Sequence, residues 1–506
     1  MTRGAHQSAD VLRAKRVGID TYREPVIFLT ATSPVCRAEG WTAHARIDVS
    51  CGGRSVAATL HVVNNGLLAE DEAGLSNAAW DWLGLANGDM VRLSHAAPLE
   101  SLAAVRAKVY GKTLSSEAIG SIVRDIADGR YSDIELAAFV TAFAGPTIDV
   151  AETIALTRAM IDTGERLYWG RETVVDKHCV GGLPGNRTSL ILVPIVAACG
   201  LTIPKTSSRS ITSPAGTADA METLAPVSLD LPAIRRVVER EGGCIVWGGA
   251  VRLSPADDII ISVERPLDLD SSMQLVASVL SKKAAAGSTH VVIDVPVGPT
   301  AKIRTDTAAK TIDALLTAVA AEIGLTLRVV RTDGRQPVGR GIGPALEARD
   351  ALAVLRNDAD APPDLRDRAV ALAGHVLELG GAAPAGSGRA RACDVLTSGA
   401  ALKKLESICD AQGGMREPPH ARHTDVVRAT RHGRIATIDN RRLARAAKLA
   451  GAPRALAAGI ELHTPLGTIV ENDQPLFTLH AESPGELDYA RRYLRVNPQV
   501  LEVEDL

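Results

Sequence analysis

Residues 174–200 read VVDKHCVGGLPGNRTSLILVPIVAACG. The two valines at the start predict a buried strand, and the glycines that follow predict a loop. From about 187 to 199 the residues are mostly apolar, which predicts a buried helix that ends at Gly200. A strand, a glycine-rich loop and a helix in this order begin a βαβ unit, so a parallel sheet is expected.

The same alternation continues along the chain from about 170 to 380. Strands are predicted at about 202–206, 244–247, 290–294 and 326–330, and helices at about 230–242, 271–286, 305–323 and from 344 onward. This order predicts a large mixed, mostly parallel-sheet α/β domain. Ligands of such domains bind at the carboxyl ends of the strands.

The rest of the chain predicts three further parts around this α/β domain. Short runs with alternating apolar positions predict an N-terminal β-rich, barrel-like domain over 1–90. Apolar residues at helical spacing predict a helical domain over 95–165, to which residues of about 250–286 also belong. These residues would interrupt the α/β domain of 170–380. Short strands predict a C-terminal α+β, barrel-sandwich-like module over 420–506.

The composition excludes several classes of function. The chain has 506 residues and a formal net charge of −3, so it has no overall field for holding a polyanion. Only 3% of the residues are aromatic, which leaves few side chains on which bases could stack. We therefore expect neither nucleic acid nor a membrane as a partner.

The cysteine pattern points to a reducing compartment. The seven cysteines are scattered and include no Cys-x-x-Cys pair, which predicts free thiols in a cytoplasmic protein. Residues 1–22 lack the apolar core of a signal peptide. The most apolar run, Leu190–Ala198, is about half of a membrane span, so no transmembrane segment is expected.

Two polar loops follow two early strands of the predicted sheet. The first, Asp176–Ser189, is rich in glycine, which lets backbone N–H groups close on an anion ahead of a helix N-terminus. The second, Lys205–Thr217, holds seven hydroxyl side chains and two cations in 13 residues. Alone, the second loop fits a solvated turn equally well. Two anion-type loops in one parallel sheet favour a phosphate site.

A third polar element is the helix that begins near Asp270. Ser278 and Lys282 are four residues apart, so they lie on one face of this helix. Asp270 stands at the helix start, where an ordinary N-cap is the simpler interpretation.

Three motifs carry a resemblance to a known family. They are KHCVGGLPGNRT at 177–188, IPKTSSRSITSPAGTAD at 203–219 and SVLSKKAAAGSTH at 278–290. Together they resemble the thymidine/pyrimidine nucleoside phosphorylase family, most closely its longer type 2 branch, which contains the AMP phosphorylases. The resemblance covers about 95–506, and an extra N-terminal domain is itself typical of the type 2 branch.

The resemblance implies a glycosyltransferase that cleaves the N-glycosidic bond of a nucleoside with inorganic phosphate. The products would be the free base and a sugar 1-phosphate, as in thymidine phosphorylase, a pentosyltransferase of pyrimidine metabolism and nucleotide salvage. The alternative within the same family is an AMP or other nucleoside monophosphate phosphorylase that forms ribose 1,5-bisphosphate. The three motifs leave both activities open.

The resemblance also implies a set of site residues. Asp270, by the AMP phosphorylase pattern, and His178, by the thymidine phosphorylase pattern, are the two candidate proton donors. The implied phosphate-binding residues are Lys177, Cys179, Gly182, Ser189, Ser207 and Thr217. The implied nucleoside or nucleotide contacts are Gly182, Ser208, Arg209, Ser210, Ile211, Thr212, Ser213, Thr217, Ser278, Lys282 and Lys302. Among these, Lys282 would stabilise the negative charge that develops on the leaving base.

The sequence departs from the family pattern at three places. Cys179 stands where the family has a phosphate-binding serine, and a thiol is a weak donor. Residues 213–215, Ser-Pro-Ala, replace the His-Thr-Gly-Gly-type turn of ordinary thymidine phosphorylases, as they do in type 2 chains. Arg265 falls near the base-binding arginine only with a one-residue gap, so a pyrimidine preference is not implied.

The resemblance implies a homodimer that needs no metal or other cofactor, with inorganic phosphate as co-substrate. Two other functions stay open. Asp257 and Asp258 could hold Mg²⁺ in a phosphoribosyltransferase, because anthranilate phosphoribosyltransferase shares the fold. A non-enzymatic carrier is suggested by 459–481, which looks like a barrel-sandwich hybrid, but the hairpin 471–475 lacks the lysine that carriers modify.

Overall fold

The computed structural model describes residues 10–64, 66–145, 148–210, 213–267, 269 and 271–506. The chain divides into two compact units. The first comprises Met1–Pro146 with Ala256–Leu269, and the second comprises Thr147–Pro255 with Asp270–Leu506.

The first unit begins with a closed barrel of six strands. Its elements are β1 (Val11–Arg16), β2 (Val26–Thr30), α1 (Pro34–Glu39), β3 (Arg46–Cys51), β4 (Arg54–Val63), β5 (Glu72–Leu75), α2 (Asn77–Leu83) and β6 (Met90–His95). The strand order is β1-β5-β2-β4-β3-β6, and β6 pairs with β1 to close the ring. Alternate side chains such as Ile27, Leu29 and Ile47 are fully buried and fill the interior. The barrel-like prediction is confirmed.

Three helices of the first unit follow the barrel: α3 (Ser101–Val109), α4 (Ser116–Ala127) and α5 (Asp133–Phe143). The apolar stripe of α4, formed by Ile119, Ile122, Val123 and Ile126, is fully buried. Helix α5 begins with a capping box between Ser132 and Glu135, which satisfies backbone donors at its N-terminus.

The second unit contains the α/β part. Its elements are α6 (Val150–Asp162), β7 (Val175–Cys179), α7 (Thr188–Ala198), β8 (Ile203–Ser207), α8 (Thr217–Glu222), α9 (Leu231–Glu241), β9 (Gly243–Trp247), α10 (Pro255–Leu267, mostly in the first unit), α11 (Ser272–Ala285), β10 (His290–Val297), α12 (Asp306–Glu322), β11 (Thr326–Asp333), β12 (Gly341–Ile342), α13 (Pro344–Arg356), α14 (Pro363–Leu379), α15 (Gly388–Thr397) and α16 (Ala400–Gln412). Helices α6 and α11 pack against each other.

Apart from the short β12, the strands of the α/β part are parallel, as predicted. Strand β10 pairs with β11 on one side and β7 on the other, and β8 pairs with β9. A parallel bridge between Val174 and Thr202 joins the two groups just before β7 and β8. Helix α7 lies in the main core against α14 and α16, and its residues from Thr188 to Ala197 are all buried. A helix that is apolar on every side is expected in such a place.

Strand β7 is longer than the sequence suggested. Because β7 pairs with β10 through Cys179, which lies opposite Asp294, Lys177 and His178 are strand residues and the loop begins only at Val180. Strand β8 covers Ile203–Ser207, close to the predicted 202–206, so the first residues of the second loop also belong to a strand. The polar side chains at these strand ends are therefore held by backbone pairing.

The C-terminal part forms two small antiparallel sheets. Its elements are β13 (His423–Arg428), β14 (Gly433–Ile438), α17 (Asn440–Leu449), β15 (Gly459–Leu462), β16 (Ile469–Val470), β17 (Pro475–Ala481), α18 (Pro484–Val496) and β18 (Leu501–Glu504). The sheet orders are β12-β15-β17-β13 and β16-β14-β18. Across the residues that the structure describes, no helix combines the length and the apolar character that crossing a membrane requires.

Candidate functional site

Three lysines are buried together in the second unit. Lys177 on β7, Lys205 on β8 and Lys283 on α11 are 2%, 3% and 1% exposed. Two fully buried carboxylates, Asp176 on β7 and Asp294 on β10, lie among them. We call these five residues the lysine cluster. Buried charges are rare because the charge loses its hydration, so such a group indicates either paired ions or a bound ion.

Asp176 is the centre of the lysine cluster. One carboxylate oxygen accepts a hydrogen bond from Lys283 Nζ at 2.5 Å. The other lies 3.3 Å from Lys205 Nζ and 2.7 Å from the Lys177 backbone nitrogen. Burial alone would raise the pKa of Asp176, but Lys205 and Lys283 hold it below its usual value. Asp176 is therefore ionised and ties two strands and a helix together.

Lys177 points its ammonium group at the start of α7. Its Nζ donates to Thr188 Oγ1 at 2.8 Å and lies 3.5 Å from Asp294 Oδ2. Thr332 donates to the other oxygen of Asp294 at 2.6 Å, which fixes that carboxylate. The predicted phosphate lysine therefore stands beside a helix N-terminus, where anions are stabilised.

The lysine cluster carries more positive than negative charge. Its three ammonium groups, those of Lys177, Lys205 and Lys283, face two carboxylates, those of Asp176 and Asp294. Burial lowers the pKa of Lys205 to about 7, although Asp176 opposes the shift. A small anion at this place would neutralise the surplus charge.

His178 and Cys179 follow Lys177 on β7. Burial, together with the charges of Lys283 and Lys205, lowers the pKa of His178 well below its usual value, so the imidazole is neutral. Burial also raises the pKa of Cys179 to about 11, so its thiol stays protonated. Asn186 Nδ2 donates to Cys179 Sγ at 3.3 Å. Neither side chain adds charge to the site near neutral pH.

The glycine-rich loop makes close contact with the residues after β10. Gly182 has φ +80°, and a Cβ there would lie 2.5 Å from the backbone nitrogen of Lys302. Only glycine permits both this backbone conformation and this approach. Gly182 and Lys302, both predicted nucleotide contacts, are therefore neighbours in the structure.

Arg187 connects the first loop to the second. Its Nη1 donates to Thr217 Oγ1 at 3.1 Å, and its other nitrogens donate to the carbonyl oxygen of Gly185 at 2.8 and 3.1 Å. Its Nε also pairs with Glu347 on α13. Burial raises the pKa of Glu347 to about 8, although Arg187 opposes the shift. Thr217, a predicted phosphate and nucleotide contact, is thus positioned by a residue of the first loop.

The second loop is held mainly by two carboxylates of α8. Arg209 pairs with Glu222 at 2.5 Å and with Asp219 at 3.3 Å. Asp219 also accepts the backbone N–H groups of Ser210 and Gly216, at 2.7 and 2.8 Å. These contacts close the loop and direct the guanidinium group of Arg209 toward α8.

The serine hydroxyls of the second loop have similar internal roles. Ser207 donates to the carbonyl oxygen of Ser208 at 3.2 Å, and Ser213 donates to that of Ala215 at 2.6 Å. The hydroxyl of Ser210 donates to the carbonyl oxygen of Ser213. Ser189 is the second residue of α7 and is buried. A ligand would have to compete with the loop carbonyls for the three loop hydroxyls.

Helix α11 brings the third motif to the same region. Lys282 Nζ donates to Ser278 Oγ at 3.3 Å, which confirms that they share a face. Lys283 is the next residue and binds Asp176, so the helix is attached to β7 beside Lys177. The N-cap of α11 is Ser271, whose hydroxyl accepts the backbone N–H of Gln274.

Some predicted residues lie outside the described part of the chain. They are Ile211, Thr212, Asp270 and the side chain of Arg265. Asp257 and Asp258 lie in the first turn of α10, in a helix that the sequence had not predicted separately. The described residues contain no group of three or more His, Cys, Asp or Glu side chains placed to hold a metal.

Sequence reasoning assigned no role to Asp176, Asp294, Lys205 or Lys283. A detectable signal exists for the two aspartates, because each is a charged residue in or beside an apolar strand. No comparable signal exists for Lys205 and Lys283, because a lysine near a strand or helix end is normally exposed.

Three family models match the sequence. The glycosyl transferase family helical bundle domain matches residues 102–164, and the glycosyl transferase family a/b domain matches 171–402. The pyrimidine nucleoside phosphorylase C-terminal domain matches 434–499. Together they span most of the chain after the N-terminal barrel.

Solved structures resemble the fold at low sequence identity. Anthranilate phosphoribosyltransferase from Thermus thermophilus superposes with a TM-score of 0.51 at 22% identity, over 61% of this chain and 99% of that one. The Saccharomyces cerevisiae anthranilate phosphoribosyltransferase, in complex with PRPP and Mg, superposes with a TM-score of 0.50 at 15% identity, over 62% of this chain and 98% of that one. These likenesses concern the fold alone.

Close relatives match along nearly their whole length. A Polaromonas sp. protein named "Putative thymidine phosphorylase" is 63% identical over 492 residues, 97% of this chain and 96% of that protein. A Maricaulis maris protein of the same name is 57% identical over 497 residues, which are 98% of this chain and 96% of that protein. The chain therefore belongs to the thymidine/pyrimidine nucleoside phosphorylase family.

Proposed function

We propose that the protein is a nucleoside phosphorylase, a pentosyltransferase that cleaves an N-glycosidic bond with inorganic phosphate. The observation that carries this proposal is the surplus positive charge of the lysine cluster, with three buried ammonium groups against two carboxylates. Phosphate would neutralise that charge beside the glycine-rich loop and the N-terminus of α7. The names of the close relatives support the same activity.

In the proposed reaction, a phosphate oxygen attacks C1′ of the sugar as the bond from C1′ to the base nitrogen breaks. The base leaves with the bonding electron pair and takes up a proton, and the sugar keeps the phosphate as its 1-phosphate. Lys177 would bind and aim the phosphate, since its ammonium group stands 2.8 Å from Thr188 at the start of α7. The hydroxyl oxygen of Thr217 accepts a hydrogen bond from Arg187, so the hydroxyl hydrogen of Thr217 is available to donate to phosphate.

The leaving base needs stabilisation of its negative charge. Lys282 and Ser278 on α11 suit this task, because the attachment of Lys283 to Asp176 fixes their helix next to the phosphate lysine. The neutral imidazole of His178 can donate a hydrogen bond to the base, but it has no imidazolium proton to give near pH 7. This favours Asp270 as the proton donor in our proposal.

We propose a thymidine phosphorylase-like reaction, thymidine plus phosphate giving thymine and 2-deoxyribose 1-phosphate. The second candidate is a nucleoside monophosphate phosphorylase that forms ribose 1,5-bisphosphate from AMP or a similar nucleotide. The close approach of Gly182 to Lys302 favours this second candidate, because both are nucleotide contacts in the AMP phosphorylase pattern.

Free base should be measured after incubation with phosphate and, separately, thymidine, uridine, AMP or CMP. Release from thymidine supports the first candidate, and release only from the monophosphates supports the second. Reactions without phosphate are the control, because a hydrolase would release base there too. No release from any substrate would contradict both candidates.

The proposal includes a homodimer that uses no metal cofactor. Adding EDTA should leave phosphorolysis unchanged, whereas a Mg-dependent phosphoribosyltransferase would lose its activity. Light scattering should give twice the mass of the 53.1 kDa chain. Loss of activity with EDTA, or a monomeric mass, would contradict the corresponding part of the proposal.

A further inference from the structure

Lys205 has no role in the family resemblance, yet it is buried at the centre of the lysine cluster. Its Nζ donates to the main-chain oxygen of Lys177 at 2.5 Å and lies 3.3 Å from Asp176 Oδ1. Asp176 Oδ1 in turn accepts the backbone N–H of Lys177 at 2.7 Å, so Lys205 and Asp176 together hold both polar backbone groups of the predicted phosphate lysine. Lys205 is therefore placed to control where Lys177 stands.

The charged and titratable groups that face Lys205 come from few elements. Strand β7 contributes Asp176, Lys177 and His178, and α11 contributes Lys283. On β9, which pairs with β8, Cys244 is buried, and burial raises the pKa of its thiol, so it stays neutral. Helix α7, which also packs against β8, carries no charged residue from Thr188 to Ala198.

We propose that Lys205 is a positioning residue of the anion site: it orients Lys177 and supplies the buried positive charge that an incoming dianion neutralises. This inference rests on the proposed phosphate site. Without the ammonium of Lys205, two ammonium groups would face two carboxylates, and the cluster would have no surplus charge for an anion. The Lys177 carbonyl would also lose its buried donor.

A consequence is that anion binding and protonation of Lys205 are coupled. Burial lowers the pKa of this lysine to about 7, so part of the empty protein lacks its proton at neutral pH. A bound dianion favours the charged form and raises the pKa again. The protein should therefore take up protons when it binds an anion, and anion affinity should fall as pH rises above about 7.

Sulfate is the suitable probe, because phosphate itself changes charge in the neutral range and sulfate does not. Among the protein groups, Cys179 titrates at about 11 and His178 stays neutral, so neither interferes between pH 6 and 9. Glu347, which pairs with Arg187, has a pKa of about 8 and needs its own control. Glu347→Gln removes that titration.

Sulfate affinity should be measured by calorimetry from pH 6 to 9, in two buffers with different ionisation enthalpies. For the unmodified protein we expect the affinity to fall by about tenfold or more across this range, with net proton uptake above pH 7. Lys205→Met should weaken binding at pH 6 by about tenfold and remove both the pH dependence and the proton uptake. Lys205→Arg, which stays charged, should bind with no pH dependence.

Two controls separate Lys205 from other causes. Glu347→Gln should keep the pH dependence of the unmodified protein. Lys310→Met, which removes an exposed lysine on α12, should keep both affinity and pH dependence. Phosphate KM and kcat measured for the same variants should show the defect in KM, because the contacts of Lys205 are with Asp176 and with the proposed phosphate lysine, Lys177.

The outcomes are distinguishable. A pH-independent affinity without proton uptake in the unmodified protein would overturn the coupling between anion binding and protonation of Lys205, and this measurement needs no variant to fold. Sulfate affinity and phosphate KM that are both unchanged in Lys205→Met would overturn its role in positioning Lys177. A pH dependence retained in the double variant Lys205→Met/Glu347→Gln, which also lacks the titration of Glu347, would overturn the coupling as well. Failure of the unmodified protein to bind either sulfate or phosphate would instead contradict the proposed function.

Discussion

The two polar loops of the α/β part both follow parallel strands, and both contain cations and hydroxyl groups. Beside the first loop, three buried lysines share two carboxylates, so positive charge remains. Lys205, the first residue of the second loop, belongs to this group, whereas the other cation of that loop, Arg209, is matched by both Asp219 and Glu222. One region has surplus charge for a ligand, whereas the other uses its charges to hold its own conformation.

This difference shows that counting cations in a loop does not locate an anion site. What matters is how many carboxylates reach each cation, and those carboxylates come from other elements. Asp294 on β10 lies 117 residues along the chain from Lys177, which it binds. Glu222 on α8 lies 13 residues from Arg209. The first loop is therefore the better candidate for phosphate.

The largest effect is expected for Lys177→Met in the first region. Removing the ammonium group that aims the phosphate should lower kcat/KM for phosphorolysis by about 10²–10³-fold. The variant also leaves Asp294 buried without its cation, which should destabilise the protein by about 3–5 kcal/mol. Activity assays and denaturant unfolding would measure the two effects.

The double variant Lys177→Met/Asp294→Asn separates chemistry from folding. It removes the charge from both partners, so stability should be largely regained while activity stays low. Recovery of activity together with stability would show that Lys177 matters only for folding.

A different result is expected for Arg209→Gln in the second region. Its side chain is 37% exposed, so loss of its ion pairs should lower the free energy of unfolding by only about 1 kcal/mol. Phosphate KM should change by less than about threefold, because the pairs hold a loop and do not bind the anion. A large rise in phosphate KM with unchanged stability would remove the contrast between the two loops.

The smallest effect is expected for Cys179→Ser. The thiol is protonated, since burial raises its pKa to about 11, and a hydroxyl is the stronger donor. Phosphate KM should stay equal or fall by up to about threefold, since one neutral hydrogen bond adds little. A clear rise in KM would show that the thiol has a role of its own.

The alternation of strands and helices was predictable, because buried parallel strands and helices have distinct apolar patterns. The end of β7 was not, since pairing with β10 extends it over polar residues such as Lys177. The sequence also did not identify the N-cap of α11. Asp and Ser are both good caps, and only the helix geometry selects Ser271.

The candidate site was predictable to a similar degree. The motifs pointed to Lys177, Thr217, Ser278 and Lys282. In the structure Lys177 binds Thr188, and the adjacent Arg187 binds Thr217. Lys282 binds Ser278, and the adjacent Lys283 binds Asp176. The motifs did not reveal that Arg209 is internally paired or that Lys205 is buried. The first fact depends on carboxylates of the next helix, α8, and the second on contacts of Lys205 with β7.

The amino-acid sequence by itself determined the parallel α/β architecture, the family and the presence of two anion-type loops. These follow from local apolar periodicity and from the order of short motifs. Only the tertiary structure decided which charges are available to a ligand. The type of charge on a side chain is given by the residue, but its burial, its pKa and its partner depend on elements that the fold brings together. Lys205 on β8 and Lys283 on α11, for example, share the carboxylate of Asp176 on β7.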